Sequence, residues 1–163
     1  MAVAQEPLPR RRIAPAASFA TEGGPGYPAT LSRDDYLALF EPLRRRHDVL
    51  LMDNRGTGQS GAVDCRDLQT AEKWTVELTA ACGRSLGIRA SLYSTAYAAD
   101  DLAAILEALD AAKIDLYGDS YGTYFEQVFA VRHPNTLRSR KSFRGKSGGK
   151  AGVRGIPSPF HKS

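Results

Sequence analysis

The sequence predicts an α/β fold in which helices cover both faces of a parallel sheet. Two short apolar runs, "DVLLMD" (Asp48–Asp53) and "AKIDLYG" (Ala112–Gly118), alternate with amphipathic helical patterns, and this alternation is typical of parallel sheets. The second run ends at Gly118, and Ser120 lies between this glycine and Gly122, where a helical pattern begins. With 163 residues, 42% hydrophobic and 25% charged, the chain is long enough for one domain with a core.

The first segment, residues 1–21, is predicted to be irregular because it holds several prolines and the triplet Arg10–Arg12. The start of the chain lacks an apolar signal core, so no signal peptide is predicted and this chain is expected in the cytoplasm. No run of eighteen apolar residues exists, so no membrane span is expected. The next stretch, "EGGPGYPAT" (Glu22–Thr30), is predicted to be a tight loop because glycine and proline dominate it.

Helical spacing of apolar residues predicts four helices. Ser32 is the expected N-cap of the first, which Pro42 limits, and Thr95 is the expected N-cap of the third. Pro134 ends the fourth, in which Phe125 and Phe129 face inward. The four ranges are Arg33–Arg46, Asp67–Ala81, Thr95–Leu109 and Tyr121–Pro134.

Charge separates residues 22–139, the predicted core, from a tail at residues 140–163. The tail holds seven basic residues and no acid, while the whole chain has a net charge of +4. No periodic apolar pattern occurs in the tail, so it is predicted to be disordered, without a helix or strand. A basic tail binds nucleic acid or anionic lipid through charge alone, and no specific nucleic-acid partner is expected.

The serine motif Gly118-Asp119-Ser120-Tyr121-Gly122 has the G-x-S-x-G pattern of a nucleophile elbow. A bare match is weak evidence, but here a predicted strand precedes it and a predicted helix follows. Gly118 and Gly122 leave room where strand and helix cross, and the N–H of Tyr121 would face the oxyanion of an acyl-transfer intermediate. The competing interpretation is that Ser120 only caps the helix.

The second donor of such an oxyanion hole is expected in a glycine loop that follows an earlier strand. "EGGPGYP" supplies Gly23, Gly24 and Gly26, and Gly24 is the candidate donor. A phosphate-binding loop is excluded because no Lys-Ser or Lys-Thr follows these glycines. The stretch "DNRGTGQSG" from Asp53, with Arg55, predicts a fixed turn with a charge pair near the site.

The two cysteines, Cys65 and Cys82, match no zinc-binding spacing and have no histidine cluster near them. No metal and no cofactor are therefore expected. The pair would form a disulfide in an exported protein and stay reduced in the cytosol, and the spacing alone does not decide between the two.

Three stretches together resemble one family: "EGGPGYP", "LLMDNRGTGQSG" and "DLYGDSYGTYFEQVFAVRHP". They are similar to α/β-hydrolase serine peptidases of the prolyl iminopeptidase and tripeptidyl aminopeptidase type, over Glu22 to Ser139. The resemblance implies a nucleophile at Ser120, an oxyanion hole at Gly24 and Tyr121, and a peptide substrate that loses N-terminal residues through an acyl-enzyme. Many tripeptidyl members are exported with disulfides, which favours a Cys65–Cys82 bond if this chain is exported.

The sequence departs from this family after the elbow. The family places an acid and a histidine well downstream of the nucleophile, whereas here the last acid is Glu126 and the downstream histidines are His133 and His161. Neither matches the catalytic histidine. After "RHPNTLRS" the family pattern gives way to basic, glycine-rich sequence, which indicates a truncation or a shifted reading frame and hence an incomplete α/β-hydrolase fold.

These observations leave four functions open. The first is a serine hydrolase of the aminopeptidase type, impaired because the triad acid and histidine are missing. The second is a non-catalytic remnant, truncated or frameshifted, and the third is an esterase or lipase-like α/β hydrolase. The fourth is an interaction module that uses the basic tail.

Overall fold

A computed structural model describes residues 17–24 and 26–143. They form a four-stranded sheet with the strand order β2-β1-β3-β4, in which every neighbouring pair is parallel. The α/β class with a parallel sheet is therefore confirmed. The strands are β1 (Ala17–Thr21), β2 (Asp48–Leu51), β3 (Ile114–Asp119) and β4 (Leu137–Phe143). The α-helices are α1 (Arg33–Leu39), α2 (Arg66–Thr70), α3 (Val76–Leu86), α4 (Thr95–Ala108) and α5 (Tyr121–Arg132), and 3-10 helix forms at Ala29–Ser32 and Gly87–Leu92.

Helices cover both faces of the sheet, as predicted. Successive side chains of a strand point to opposite faces, so Phe19 of β1 packs with α4 and α5, while its neighbour Ala20 packs with α1. The larger core, on the α4 and α5 side, includes Leu102, Phe125 and Phe129, all fully buried. In the part of the chain that the structure describes, no helix is both long enough and apolar enough to cross a membrane.

The prediction that residues 1–21 are irregular is wrong for Ala17–Thr21, which form the central strand β1. All five residues are buried, because β2 and β3 pair with β1 on its two sides. The carboxyl ends of β1 and β3 are adjacent, with Thr21 opposite Gly118. This register brings the glycine loop after β1 beside the serine after β3. Residues 1–16 lie outside the described part of the chain.

The prediction that no strand or helix forms after residue 139 is wrong for residues 140–143, which complete β4. β4 is an edge strand, so its basic side chains Arg140 and Lys141 reach solvent and are exposed. Arg138, two residues before Arg140 in β4, donates to both carboxylate oxygens of Asp115 on β3. An edge position therefore accommodates charges that a central parallel strand would exclude. Residues 144–163, including His161, lie outside the described residues.

Three of the predicted helices differ from the structure in their ends or caps. The single helix predicted at Asp67–Ala81 is two helices, α2 and α3, and Thr75 caps the second by accepting the Leu78 N–H. The cap of α4 is Ser94, not Thr95, because the Ser94 side chain accepts the Tyr97 N–H at 3.3 Å. Helix α1 ends at Leu39, ahead of Pro42, and Ser32 makes no side-chain cap hydrogen bond.

The connection between β2 and α4 contains the helical segment 62–94, which comprises α2, α3 and the second 3-10 helix. None of its residues is buried. Cys65 and Cys82 are joined by a disulfide, with their Cα atoms 5.5 Å apart. Since these helices bury no side chain in the core, the covalent bond is a principal constraint on how α2 and α3 sit together.

Candidate active site

Ser120 connects β3 to α5 with an unusual backbone conformation. Its φ of 49° and ψ of −112° lie in a region that a residue with a Cβ rarely occupies. Strain of this kind costs roughly 1–3 kcal/mol and persists where the surrounding structure fixes it. The side chain is exposed and makes no cap hydrogen bond to α5. The cap interpretation therefore has no support in the geometry, and the nucleophile role of Ser120 stays a prediction.

Gly118 and Gly122 are required by close packing at the strand-to-helix turn. A Cβ built on Gly122 would lie 2.6 Å from the carbonyl oxygen of Thr21 on β1. A Cβ on Gly118 would collide with the carbonyl group of Gly122. Both neighbours are backbone atoms, which cannot move aside as a flexible side chain can. The two glycines thus let β1, β3 and α5 approach closely enough to hold Ser120 in its conformation.

The glycine loop after β1 lies against Ser120. A Cβ on Gly23 would be 2.9 Å from the Ser120 Cβ and 3.5 Å from its Oγ. Gly24 is exposed, has a φ of +39°, and its carbonyl oxygen accepts the Tyr27 N–H at 3.2 Å. The structure therefore brings the predicted loop to the predicted serine, and Gly24 as the donor remains a prediction.

Tyr121 is the first residue of α5, so its N–H has no acceptor within the helix. This N–H lies at the positive end of the helix dipole, directly after Ser120. The Tyr121 hydroxyl is hydrogen-bonded to the Thr95 hydroxyl at 2.6 Å. The bond ties the start of α5 to the start of α4, a link that the sequence did not predict.

Acidic and phenolic groups surround the turn. Burial is the main cause that raises the pKa of Tyr36 far above its ordinary value, and the charge and hydrogen bond of Glu22 add to it. Burial also raises the pKa of Tyr117, helped by the charges of Asp119 and Glu22. Both tyrosines therefore stay protonated at physiological pH. Glu22 was not singled out by the sequence pattern, since a carboxylate before a glycine pair has many structural roles.

The turn that follows β2 is fixed by Asp53 and Arg55. Burial alone would raise the pKa of Asp53, but hydrogen bonds from Thr30, Gln59 and Ala29 hold it below its ordinary value. Arg55 donates to both oxygens of Asp101 on α4, at 2.6 and 2.7 Å. Arg55 therefore forms a charge pair, and its partner is Asp101 on α4, which the sequence did not predict. Asp53 bonds Thr30, so the turn also supports the segment that follows the glycine loop.

The two described histidines lie far from Ser120. His133 follows the last residue of α5 and contacts Asp100 at 2.8 Å, which places it about 20 Å along the helix from the elbow. His47 precedes β2 and contacts Asp115, which is five residues before Ser120 on β3 and hence about 16 Å away.

The serine, histidine and acid at the opposite end of the sheet, Ser18, His47 and Asp115, do not form a catalytic triad. Ser18 and Asp115 both approach the same His47 atom, Nδ1, at 3.3 and 3.7 Å. In a catalytic triad, the histidine contacts the serine through one ring nitrogen and the acid through the other. Ser18 is also 3% exposed within β1, so a substrate cannot reach it. This cluster joins neighbouring strands.

A strand, a strained serine, a helix and an adjacent glycine loop define the architecture of an α/β hydrolase. The family model for the alpha/beta hydrolase fold matches residues 22–139, and the chain belongs to this family. No curated protein matches the sequence.

Solved structures agree on the fold. The chain is similar to a marine microorganism esterase (TM-score 0.52, 16% identity, covering 81% of this chain and 38% of that one). It is also similar to epoxide hydrolase A from Mycobacterium thermoresistibile (TM-score 0.51, 18% identity, 78% and 31% covered). A proline iminopeptidase-related protein from Thermus thermophilus matches at a TM-score of 0.45 and 21% identity, with 75% and 35% covered. The chain thus spans about a third of the length of these structures. At such identities the esterase and the epoxide hydrolase show the fold alone.

Proposed function

We propose that Ser120 is the nucleophile of a serine hydrolase, with the N–H groups of Gly24 and Tyr121 as its oxyanion hole. The observation that carries this proposal is the backbone of Ser120, whose positive φ lifts an exposed hydroxyl between the glycine loop and the start of α5. The reaction is acyl transfer. Oγ attacks a carbonyl carbon, the leaving group departs, and water then hydrolyses the acyl-enzyme.

The proton of the Ser120 hydroxyl must pass to a base during attack. Neither His47 nor His133, the histidines within the described residues, lies near enough to accept it. Because Ser120 is exposed, solvent water takes this proton and protonates the leaving group. We therefore expect Ser120 to react with strongly activated reagents and to turn over ordinary substrates slowly. An oxyanion hole and substrate binding without a full triad still accelerate hydrolysis roughly 10³–10⁴-fold over water.

For the substrate, we propose a peptide with a free amino terminus. The support is the sequence resemblance over Glu22 to Ser139. The fold itself hosts many substrates, so a simple ester is the alternative within the same chemistry. The distance of both described histidines from the elbow favours a second candidate function, a non-catalytic protein that keeps a reactive serine.

The test is covalent labelling of the full chain by a fluorophosphonate, read by intact mass. We expect one adduct in the wild type and in Ser91→Ala, an exposed serine elsewhere, and none in Ser120→Ala. An unlabelled wild type, or equal labelling of Ser120→Ala, would refute the nucleophile. Hydrolysis of an aminoacyl anilide but not its N-acetylated form supports the peptidase, while a p-nitrophenyl ester as the only substrate supports the esterase. Labelling without turnover supports the non-catalytic alternative.

A further inference from the structure

Glu22 connects the glycine loop to helix α1. Its Oε2 accepts the N–H of Gly23 at 3.2 Å. Its carboxylate also faces the Tyr36 hydroxyl, whose pKa it raises through its charge and through hydrogen bonding. Glu22 is the first residue after β1 and is half-buried. The carboxylate thus joins a rigid helix to the backbone of a loop in which glycine would otherwise permit many conformations.

Tyr36 is itself held firmly. It is 4% exposed, and its ring lies 6.2 Å from the Phe40 ring in a stacked arrangement and 6.2 Å edge-on from the Tyr117 ring. Tyr117 belongs to β3, three residues before Ser120. The anchor for Glu22 is therefore part of the same packed face that carries the elbow.

On its other side the loop is fixed by the elbow, because Gly23 has no room for a Cβ beside Ser120. The loop is thus held between Ser120 and the Glu22–Tyr36 pair. The Glu22 side chain also occupies the N–H of Gly23, so this group is not available to an oxyanion. The next backbone N–H along the loop is that of Gly24.

We propose that Glu22 is a positioning residue that occupies the Gly23 N–H, fixes the glycine loop on Tyr36 and so leaves the Gly24 N–H as the donor toward Ser120. The effect of Glu22 on the reactivity of Ser120 rests on the proposed function, whereas the hydrogen bond from Gly23 to Glu22 does not. Glu22 acts through its acceptor atoms and not through its charge. A carboxylate near a developing oxyanion is electrostatically unfavourable, and Asp119 already places a second one at this turn.

Glutamine tests this distinction. In Glu22→Gln the amide oxygen can accept the Gly23 N–H, and the amide N–H can donate to the Tyr36 oxygen. Both contacts persist without the charge. Glu22→Ala removes both contacts, and Tyr36→Phe removes only the anchor. Glu41→Ala, in the exposed turn that follows α1, is the matched control for the loss of a carboxylate.

The first measurement is amide hydrogen exchange and the pH titration of backbone amides by NMR on the full chain. In the wild type we expect the Gly23 N–H to be protected and to shift as Glu22 is protonated, while the Gly24 N–H exchanges rapidly. The groups that face Glu22 are Tyr36, Tyr117 and Asp119, of which only Asp119 is a second carboxylate. The Gly23 shift should therefore persist in Asp119→Asn and vanish in Glu22→Gln.

The second measurement is the kinetics of fluorophosphonate labelling, well below the unfolding temperature of every variant. We expect Glu22→Ala to lower the maximal rate of labelling at least about tenfold, since a displaced oxyanion donor costs roughly 10²–10³, with the half-saturating reagent concentration unchanged. Glu22→Gln and Glu41→Ala should stay within about twofold of the wild type. A purely structural role would instead lower the unfolding temperature and leave the rate unchanged.

Equal Gly23 exchange in the wild type and Glu22→Ala overturns the inference, as does unchanged labelling by Glu22→Ala. Slow fluorophosphonate labelling of Glu22→Gln also overturns it, because the charge of Glu22, and not only its acceptor atoms, would then be needed for the reaction of Ser120. If the wild type is not labelled at all, the proposed function fails, and the NMR titration alone decides whether Glu22 holds the loop.

Discussion

The elbow region and the helical segment 62–94 differ in what holds them in place: the first is closely packed and buried, and the second is exposed. At the elbow, Phe19, Leu116 and Phe125 are at most 2% exposed, and glycines bring backbones into contact. The helical segment 62–94 buries no residue, and it exposes large apolar side chains, including 79% of Trp74 and 91% of Ile88. Its disulfide joins two of its own residues, Cys65 and Cys82, and Arg55 from outside the segment donates to the Leu92 carbonyl.

The difference shows what each region can tolerate. Close packing leaves no free volume, so an added methyl group at the elbow must displace backbone. A surface helix with little packing responds instead to helix propensity and to its covalent link. The comparison therefore predicts opposite responses to the same chemical change.

The largest expected effect comes from one substitution made in both regions. Gly118→Ala places a methyl group on the Gly122 carbonyl, so we expect the free energy of unfolding to fall by about 3 kcal/mol or more, at the upper end of overpacking costs. Gly83→Ala in α3 meets no atom within 4 Å and should raise helix stability by about 0.5–1 kcal/mol. Urea unfolding measures the first, and hydrogen exchange within α3 measures the second. Similar losses of stability in Gly118→Ala and Gly83→Ala would contradict the expected difference between the two regions.

The second effect concerns the disulfide. Replacing Cys65 and Cys82 by serine removes the constraint on a 17-residue separation, worth about 3 kcal/mol in the chain-entropy model. We expect this loss as local opening, with hydrogen exchange rising across the helical segment 62–94 and protection kept in β1, β3 and α5. Reduction of the wild type should give the same pattern. If protection of the central strands falls in parallel, the two regions unfold as one unit.

The same contrast explains how much could be predicted from the sequence. Helix α4 and the strand–serine–helix unit have strong apolar periodicity, and the structure contains them. β1 was missed because "ASFAT" has no alternating pattern, and its burial comes from two partner strands. β4 was missed because its basic residues are typical of a solvated tail, whereas an edge position tolerates them.

Within the site, the glycine motifs and Ser120 were predictable because each needs a particular residue type at a fixed spacing. Glu22 and its partner Tyr36 were not, since fourteen residues separate them and only the packing of α1 on the sheet brings them together. The break between α2 and α3 was hidden because no glycine or proline marks it. Thr75 was the available signal, as a cap three residues before the Leu78 N–H.

The smallest expected effect concerns Asp100, which joins α4 to α5 by ionic contacts in addition to close packing. Asp100 on α4 accepts from Arg132 and contacts His133 at the end of α5, so an ionic contact there supplements packing. The hydrogen bond from Arg132, followed by that from His133, lowers the pKa of Asp100 to about 2. An acid with a lowered folded-state pKa stabilises the fold above its unfolded pKa, and the contribution disappears as the pH falls toward 2.

Asp100→Asn should therefore lower the free energy of unfolding by less than about 1 kcal/mol near neutral pH, because a third of the side chain is exposed and solvent screens it. The difference between wild type and variant should shrink below about pH 4 and vanish near pH 2. Urea titrations of both proteins at several pH values measure this convergence. A difference that stays constant down to pH 2 would show that the ionised form of Asp100 contributes nothing, and that packing alone joins α4 to α5.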